Sequence, residues 1–254
     1  MILAIDIGNT TTNFGVFEKN RLVAQFSVAT QPTRTADEIT LQLKALAKTR
    51  SLHLVRASKI LICSVVPRMS SVLIQALRSL DAISIVIVGQ DIIVPLKNQY
   101  TYPEQVGQDR LVGAYAAWHA YGKGRGTDCI VCDFGTAITI DVVTKKGNYL
   151  GGIIAPGLEI SLDALATRTA LLPKVELKEP PELLGRDTAN SIRSGLLHGC
   201  VALCDGLVTQ LKRQYGLKAT VVATGGNSAL IAKHARTIDH VKPTWSSKDS
   251  SSLA

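Results

Sequence analysis

The sequence is poor in aromatic residues and has no long apolar run, and both absences narrow the function classes. Aromatic residues make up 5% of the 254 residues, whereas hydrophobic residues make up 46%. The core must therefore be built mainly from aliphatic side chains. No stretch reaches the roughly 20 consecutive apolar residues of a membrane span, and no basic region with a small-residue cleavage site opens the chain. We therefore expect a cytoplasmic protein with no membrane partner.

Cysteine is also scarce, with five residues at uneven spacing. An odd number without a regular pattern does not suggest a disulfide framework, and this favours a reducing compartment. Cys129 and Cys132 form a C-x-x-C pair, but on a strand this spacing points them to opposite faces. We interpret both as core residues rather than as a metal or redox pair. Asp141, further along, is interpreted as a surface or capping carboxylate.

Basic residues outnumber acidic ones, 28 to 20, which gives a net charge of +8. A basic surplus favours anionic partners such as nucleotides, phosphorylated metabolites or nucleic acid. The basic residues are scattered, however, and no helix-turn-helix pattern, zinc module or aromatic-basic stripe is present. We therefore expect a small anionic ligand and no nucleic-acid partner.

One pattern occurs twice in the sequence. In "ILAIDIGNTTTNFGVF" and again in "CIVCDFGTAITIDVV", an apolar run ends in an aspartate that glycine and threonine follow. An alternating run, a polar turn and a third strand-like run come next in both copies. The pattern predicts a duplicated three-stranded meander, with alternating strands and helices after each copy. We expect two α/β domains, residues 1–120 and 121–254.

The two aspartate turns have the chemistry of a phosphate site. Gly8 allows the backbone N–H groups to approach a ligand closely, and the neighbouring asparagine and threonines supply side-chain donors. Asp6 cannot lie unpaired in an apolar core, and a carboxylate suits a magnesium ion. Asp133 and Thr136 offer the same elements in the second copy. A third element, "VVATGGN", places two glycines after a buried strand, where backbone would face an adenosine.

A further motif, "GQDR" at 107–110, precedes a predicted helix. Its aspartate has two interpretations from the residues alone. Asp109 would either cap the helix and pair with Arg110, or accept a proton from a hydroxyl during phosphoryl transfer. In the second case Arg110 suits the carboxylate of an acidic substrate.

Taken together, these motifs resemble those of type III pantothenate kinases, members of the actin, hexokinase and acetate kinase superfamily. The resemblance covers nearly the whole chain. It implies an α/β fold of two duplicated ribonuclease-H-like domains, with the nucleotide site in the cleft between them. The motifs that carry it are "DIGNT" (6–10), "GQDR" (107–110), "DFGTA" (133–137), "GGIIAPG" (151–157), "GRDTANSIRSG" (185–195) and "ATGG" (223–226).

The resemblance also implies roles for individual residues. It implies phosphorylation of pantothenate, the first step of coenzyme A biosynthesis, by a homodimer that uses ATP with Mg²⁺. Asp109 would be the catalytic base, and Asp133 would bind a monovalent cation, K⁺ or NH₄⁺. ATP would contact Asp6, Ile7, Gly8, Asn9, Thr10, Thr11, Thr12, Asn13 and Thr136. Pantothenate would contact Tyr100, Gly107, Gln108, Asp109, Arg110 and Thr188.

Two other functions remain open at this point. A phosphohydrolase on the same fold would share both phosphate turns, although the Gly-x-Asp-Arg motif argues against it. An accessory transcriptional regulator without enzymatic activity would use the basic surplus instead.

Overall fold

A computed structural model of the chain describes residues 1–19, 21–50, 57–80 and 84–242. These residues form two compact units. The first contains residues 1–95 and 104–112, and the second contains residues 96–103 and those from Gly113 onward. The segment around Tyr100 thus groups with the second unit. The expected domain boundary after residue 120 stays a prediction, and residues 243–254 lie outside the described part of the chain.

The first unit is built on a five-stranded sheet. Its elements are β1 (Ile2–Ile7), β2 (Thr11–Glu18), β3 (Arg21–Ala29), α1 (Ala36–Thr49), β4 (Lys59–Ser64), α2 (Pro67–Arg78) and β5 (Ile85–Ile87). The antiparallel pairs β1–β2 and β2–β3 form the predicted meander; β4 then pairs in parallel with β1, and β5 pairs in parallel with β4. The strand order is β3-β2-β1-β4-β5.

Helix α1 begins at the capping-box sequence "TADE" (35–38) and packs one apolar face on the sheet. Thr35 and Glu38 form a capping box, in which the Thr35 hydroxyl accepts the Glu38 N–H and the Glu38 carboxylate accepts the Thr35 N–H. This satisfies two backbone donors that a helix otherwise leaves without partners. Ile39 and Leu43 lie one turn apart and are buried against the sheet core.

The rest of the chain repeats this arrangement with additions. Strand β7 pairs antiparallel with β8 and parallel with β10, as β1 pairs with β2 and β4. The strand order is β11-β10-β7-β8-β9-β6, which is the first sheet's order extended by β6. The elements are β6 (Lys97–Asn98), α3 (Gln108–Ala117), β7 (Asp128–Phe134), β8 (Ala137–Val143), β9 (Asn148–Pro156), α4 (Leu158–Arg168), α5 (Thr188–Gln214), β10 (Ala219–Thr224), α6 (Ser228–Ala232) and β11 (His240–Val241). The α/β class with a duplicated core is confirmed.

The long helix α5 also follows its sequence signals. The Asp187 side chain accepts the Asn190 N–H at its start, and Gly216 takes a φ of +61° just beyond its end. Positive φ at this position is the usual reason for glycine after a helix. The apolar residues of this helix contribute to the core of the second unit. Leu197 and Val201 are buried in that core, and Leu196, Leu203 and Leu207 pack against it while partly buried.

The predictions for the C-x-x-C cysteines and for Asp141 have different outcomes. Cys129 and Cys132 are fully buried on β7, so their interpretation as core residues is confirmed. The interpretation of Asp141 as a surface or capping carboxylate is wrong, because its side chain is only 2% exposed. It is buried because β8 is the middle strand of its meander. Among the described helices, α5 included, none is long and apolar enough to cross a membrane.

Candidate active site

The first phosphate turn joins β1 to β2 and presents Asp6 at the end of a buried strand. In the ladders, Asp6 lies opposite Asn13 on β2 and Cys63 on β4. The turn closes through a hydrogen bond from the Gly8 N–H to the Thr11 carbonyl, at 3.0 Å. A Cβ at Gly8 would lie 3.2 Å from that oxygen, so a larger residue would strain the turn. This geometry explains the glycine of "DIGNT".

A residue outside the motifs supports this turn. Thr30, directly after β3, donates its hydroxyl to the Gly8 carbonyl at 2.8 Å, and its N–H bonds to the Thr10 carbonyl at 2.9 Å. Its hydroxyl also pairs with that of Thr12, which is fully buried. Thr30 was not predicted from the sequence, because a small polar residue at a strand end is its only signal.

The pKa of the Asp6 carboxyl group is raised. Its side chain remains accessible to solvent, but the surrounding protein removes enough water to raise its pKa from 3.8 to about 6. Desolvation is the largest cause, since it disfavours the charged form. A hydrogen bond from the Asn13 side chain acts in the opposite direction, and repulsion from Asp109 raises the pKa further. A cation beside Asp6 would favour its ionised form.

The Gly-x-Asp-Arg motif lies beside this turn within the first unit. Asp109 occupies the first turn of α3, and its carboxylate accepts the Arg110 N–H at 2.8 Å. A Cβ at Gly107 would lie 2.5 Å from Asp109 Oδ1, so the glycine leaves the space that this carboxylate occupies. Both Asp6 and Asp109 raise the pKa of the buried Cys63 thiol, after burial itself. Cys63 therefore stays protonated and is no candidate nucleophile.

Gln108, the second residue of that motif, rests on a glycine that the sequence analysis did not single out. Gly89 has a φ of +87°, and a Cβ there would lie 2.5 Å from the Gln108 side-chain amide carbon. The positive φ favours glycine at this position, and the Gln108 side chain occupies the space that a Cβ would take. Gly89 follows β5, so the sheet positions the start of α3 through this contact.

The second phosphate turn joins β7 to β8 in the second unit. Asp133 lies opposite Thr139 on β8 and Thr224 on β10. The Gly135 N–H bonds to the Ala137 carbonyl at 3.2 Å and closes the turn. The Thr136 side chain is exposed, as a ligand contact requires. The turn is therefore a shorter version of the first.

Two further glycines, both later in the chain, enclose the second turn. The Gly157 N–H bonds to the Thr136 carbonyl at 3.2 Å, and a Cβ at Gly157 would clash with that oxygen. Gly225 has a φ of +90°, and a Cβ there would clash with Asp133 Oδ1 and the backbone of Phe134. The motifs "DFGTA", "GGIIAPG" and "ATGG" therefore meet at one place in the fold.

The remaining predicted contacts differ in their exposure to solvent. Tyr100 is half-buried beside β9, and Thr188 is the exposed first residue of α5. Asn9 and Thr10 are exposed at the first turn, whereas Ile7 and Thr12 are fully buried. The predicted ATP contacts of these buried residues, like the other residue roles, stay predictions.

Family comparison decides between the functions that the sequence left open. A family model described as type III pantothenate kinase matches residues 2–210. A Moorella thermoacetica protein named type III pantothenate kinase is 38% identical over 243 residues, or 96% of this chain and 94% of the relative. A Frankia alni protein of the same name is 39% identical over 247 residues, or 96% and 94% of the two chains. The chain belongs to the type III pantothenate kinase family.

Solved structures place this type III pantothenate kinase family member within a wider fold. A conserved Campylobacter jejuni protein assigned to the Baf family of transcriptional activators has a TM-score of 0.60 at 18% identity, covering 99% of this chain and 96% of that one. The activator of 2-hydroxyisocaproyl-CoA dehydratase from Clostridium difficile, solved with bound ADPNP, has a TM-score of 0.51 at 12% identity, covering 99% and 93%. At these identities the likeness shows the fold alone. The predictions of the family and of a kinase are confirmed by the closer relatives.

Metal ligation in this kinase family member would depend on single carboxylates. Within residues 1–19, 21–50, 57–80 and 84–242, no three or more His, Cys, Asp or Glu side chains gather in a metal-binding arrangement. Carboxylate, carbonyl and phosphate oxygens are the donors that Mg²⁺ prefers, and substrate phosphates commonly complete its coordination. Asp6 and Asp133 fit this pattern, one at each turn.

Proposed function

We propose that this chain transfers the γ-phosphate of ATP to the primary hydroxyl of pantothenate and forms 4'-phosphopantothenate, the first step of coenzyme A biosynthesis. The observation that carries the proposal is the family match over residues 2–210. The juxtaposition of Asp6 and Asp109 in the first unit supports it, because one carboxylate suits a metal nucleotide and the other suits a reacting hydroxyl.

Asp109 is the base in this proposal. As the pantothenate hydroxyl oxygen attacks the γ-phosphate, Asp109 accepts its proton, and ADP leaves with the pair of electrons of the broken P–O bond. Phosphoryl transfer otherwise needs positioning and charge neutralisation rather than covalent catalysis. Arg110 would bind the pantothenate carboxylate, and Gly107 and Gln108 would complete that end of the site.

Phosphate binding falls to the two turns. In the first, backbone N–H groups and the exposed side chains of Asn9 and Thr10 would donate to ATP oxygens. In the second, Thr136 would donate from its exposed hydroxyl. Thr12 is buried, so its contribution would be to hold the turn through Thr30.

Two cations would neutralise phosphate charge. Asp6 would hold Mg²⁺, which fits a carboxylate whose raised pKa a neighbouring positive charge would lower again. Asp133 would hold K⁺ or NH₄⁺, as the family resemblance implies, through a carboxylate at the end of a buried strand. When bound, these cations supply the charge compensation that phosphoryl transfer requires.

We also propose a cytoplasmic homodimer in which Tyr100 and Thr188 contribute to the pantothenate site. The second unit has exposed aliphatic side chains that an assembly surface could bury, namely Ile154, Ile160, Leu171, Leu183 and Leu184. Light scattering at micromolar concentration should give twice the chain mass of 27.2 kDa. A species of the single-chain mass alone would contradict the dimer.

A single assay tests the reaction itself. The protein is incubated with ATP labelled at the γ-phosphate, with and without pantothenate, and the products are separated. Labelled phosphopantothenate that forms only with pantothenate is the expected result. Labelled free phosphate without pantothenate would indicate a hydrolase instead, and no turnover under either condition would contradict the enzyme.

A further inference from the structure

A buried carboxylate that the proposed chemistry does not use lies near the Tyr100 segment. Asp141 on β8 is 2% exposed, and it accepts hydrogen bonds from the Tyr149 hydroxyl at 2.6 Å and the Thr139 hydroxyl at 3.1 Å. Tyr149 on β9 is itself fully buried. Burying a carboxylate is unfavourable unless such bonds compensate for lost water, and a satisfied buried network fixes one conformation of the strands that carry it.

Strand β9, to which Asp141 is hydrogen-bonded through Tyr149, has an irregular register with β8. The β8–β9 ladder passes from Val142 opposite Gly151 to Val143 opposite Tyr149. Leu150 is therefore an extra residue on β9, which makes this a β-bulge. Gly151 takes a φ of +127° at the bulge, a conformation that residues with a side chain rarely adopt. Bulges commonly occur next to active sites, where they redirect a side chain.

The bulge supports the segment that carries Tyr100. Strand β6 pairs in parallel with the start of β9, and the Gln99 N–H bonds to the Tyr149 carbonyl at 2.9 Å. The next residue, Tyr100, donates its N–H to Asn98 Oδ1 at 3.0 Å. Tyr149 thus connects the two parts: its hydroxyl is hydrogen-bonded to Asp141, and its backbone carbonyl accepts the N–H of Gln99, the residue before Tyr100.

The ring of Tyr100 lies against the bulge itself. A Cβ at Gly151 would be 3.3 Å from both Cδ2 and Cε2 of Tyr100. Such a contact is tighter than an ordinary van der Waals approach, so the ring would have to move by a few tenths of an ångström. The backbone of Gly151 therefore forms the surface on which this ring rests.

We propose that Gly151 and Asp141 are positioning residues for Tyr100, and that through it they set the affinity for pantothenate. Gly151 provides the surface for the ring, and Asp141 fixes the bulged strand by holding Tyr149. This inference rests on the proposed function, in which Tyr100 contacts pantothenate. Neither residue touches the reacting atoms in this proposal.

The primary test compares Gly151→Ala with the unaltered protein in steady-state kinetics. The Michaelis constant for pantothenate should rise roughly tenfold or more, because a small misplacement of a substrate contact is costly. The Michaelis constant for ATP should not change, since the ring does not contact ATP. Asp141→Asn should shift the same constant in the same direction and by less, because the amide oxygen still accepts the Tyr149 hydroxyl.

Gly216→Ala is the matched control for backbone strain. Gly216 also has a positive φ, +61°, but a Cβ there would meet nothing within 4 Å. It should lower the melting temperature slightly and leave both Michaelis constants unchanged. Equal shifts of the pantothenate constant in Gly151→Ala and Gly216→Ala would overturn the inference, since general destabilisation would then explain both.

A double-mutant cycle separates this inference from the proposed function. Tyr100→Ala should raise the pantothenate constant, and adding Gly151→Ala to it should have no further effect because the ring is gone. If the two effects add fully, Gly151 does not act through Tyr100, and the inference fails while the pantothenate contact stands. If Tyr100→Ala alone has no effect, the contact assigned to Tyr100 fails, and the inference fails with it.

Discussion

The two phosphate turns share a topology but are supported in different ways. In each, an aspartate ends an apolar strand that pairs antiparallel with the next strand and parallel with a later one. The first turn is braced by side chains, through the Thr30 hydroxyl and the amide of Asn13. The second is enclosed by the backbones of Gly157 and Gly225. Duplication preserved the strand order and left the supports free to diverge.

The difference extends to the electrostatics of the aspartates. Asp6 is desolvated and near another carboxylate, Asp109, so its pKa is raised to about 6. It is suited to a divalent ion that offsets two negative charges. Asp133 packs closely against Gly225, where a weaker, monovalent ion is proposed. Under the proposed function, metal-nucleotide binding and hydroxyl activation would belong to the first unit, and cation-assisted phosphate binding would belong to the second.

The largest expected effect follows from the base. Asp109→Asn keeps the shape and hydrogen-bonding capacity of the side chain but cannot accept the hydroxyl proton. Turnover should fall roughly 10²–10⁴-fold, while ATP binding measured by calorimetry should persist. Asp37→Asn is the matched control, because Asp37 also lies in the first turn of a helix and is exposed. Near-normal turnover in a folded Asp109→Asn would mean that this residue is only a helix cap.

Asp6→Asn should weaken the metal nucleotide itself. Removing one charged contact should reduce Mg–ATP affinity about tenfold to hundredfold, and turnover should fall as well. The same measurement on Asp133→Asn sharpens the comparison, because that variant should keep more of its Mg–ATP affinity. Equal losses in both variants would contradict the division of roles between the turns.

Much of this arrangement was predictable from sequence, because strand and turn patterns are local. The duplicated meander, the capping box of α1 and the end of α5 near Gly216 each depend on residues close in the chain. The supports of the site were not predictable in this way. Thr30 and Gly89 act through contacts made 18 or more residues away along the chain, and a lone threonine or glycine gives no signal of them. Asp141 was misinterpreted because burial of a charge depends on strand order.

The monovalent cation should have a smaller effect, and it tests the second turn alone. Activity should rise when K⁺ or NH₄⁺ replaces Na⁺ at constant ionic strength. If Na⁺ fits the site too poorly to occupy it, the sodium buffer lacks the interaction of two unit charges, which is worth about 1 kcal/mol at 4 Å in water, so a change of roughly fivefold is expected. Asp133→Ala should abolish this rise in activity. Asp6→Asn should be less active overall, but its remaining activity should still rise with K⁺ or NH₄⁺. Equal rates in sodium and potassium buffers would argue against a cation at Asp133.

The smallest expected effect is on stability, and it tests the acidity of Asp6 without any ligand. A pKa raised to about 6 means that the folded chain binds this proton more tightly than the unfolded chain does. This tighter proton binding adds to the free energy of unfolding. The addition is complete below the unfolded-state pKa near 4, and it is lost as the pH rises through the folded-state pKa of about 6. Asp6→Asn removes the ionisable group, so in metal-free buffer the variant should melt at a higher temperature than the unaltered protein at pH 7.5, by a small margin because solvent screens the charge of this accessible side chain. This advantage should disappear at pH 4, where Asp6 is protonated in the folded state. A lower melting temperature for the variant at pH 7.5 would show that ionised Asp6 stabilises the fold, and the electrostatic contrast between the turns would then be wrong.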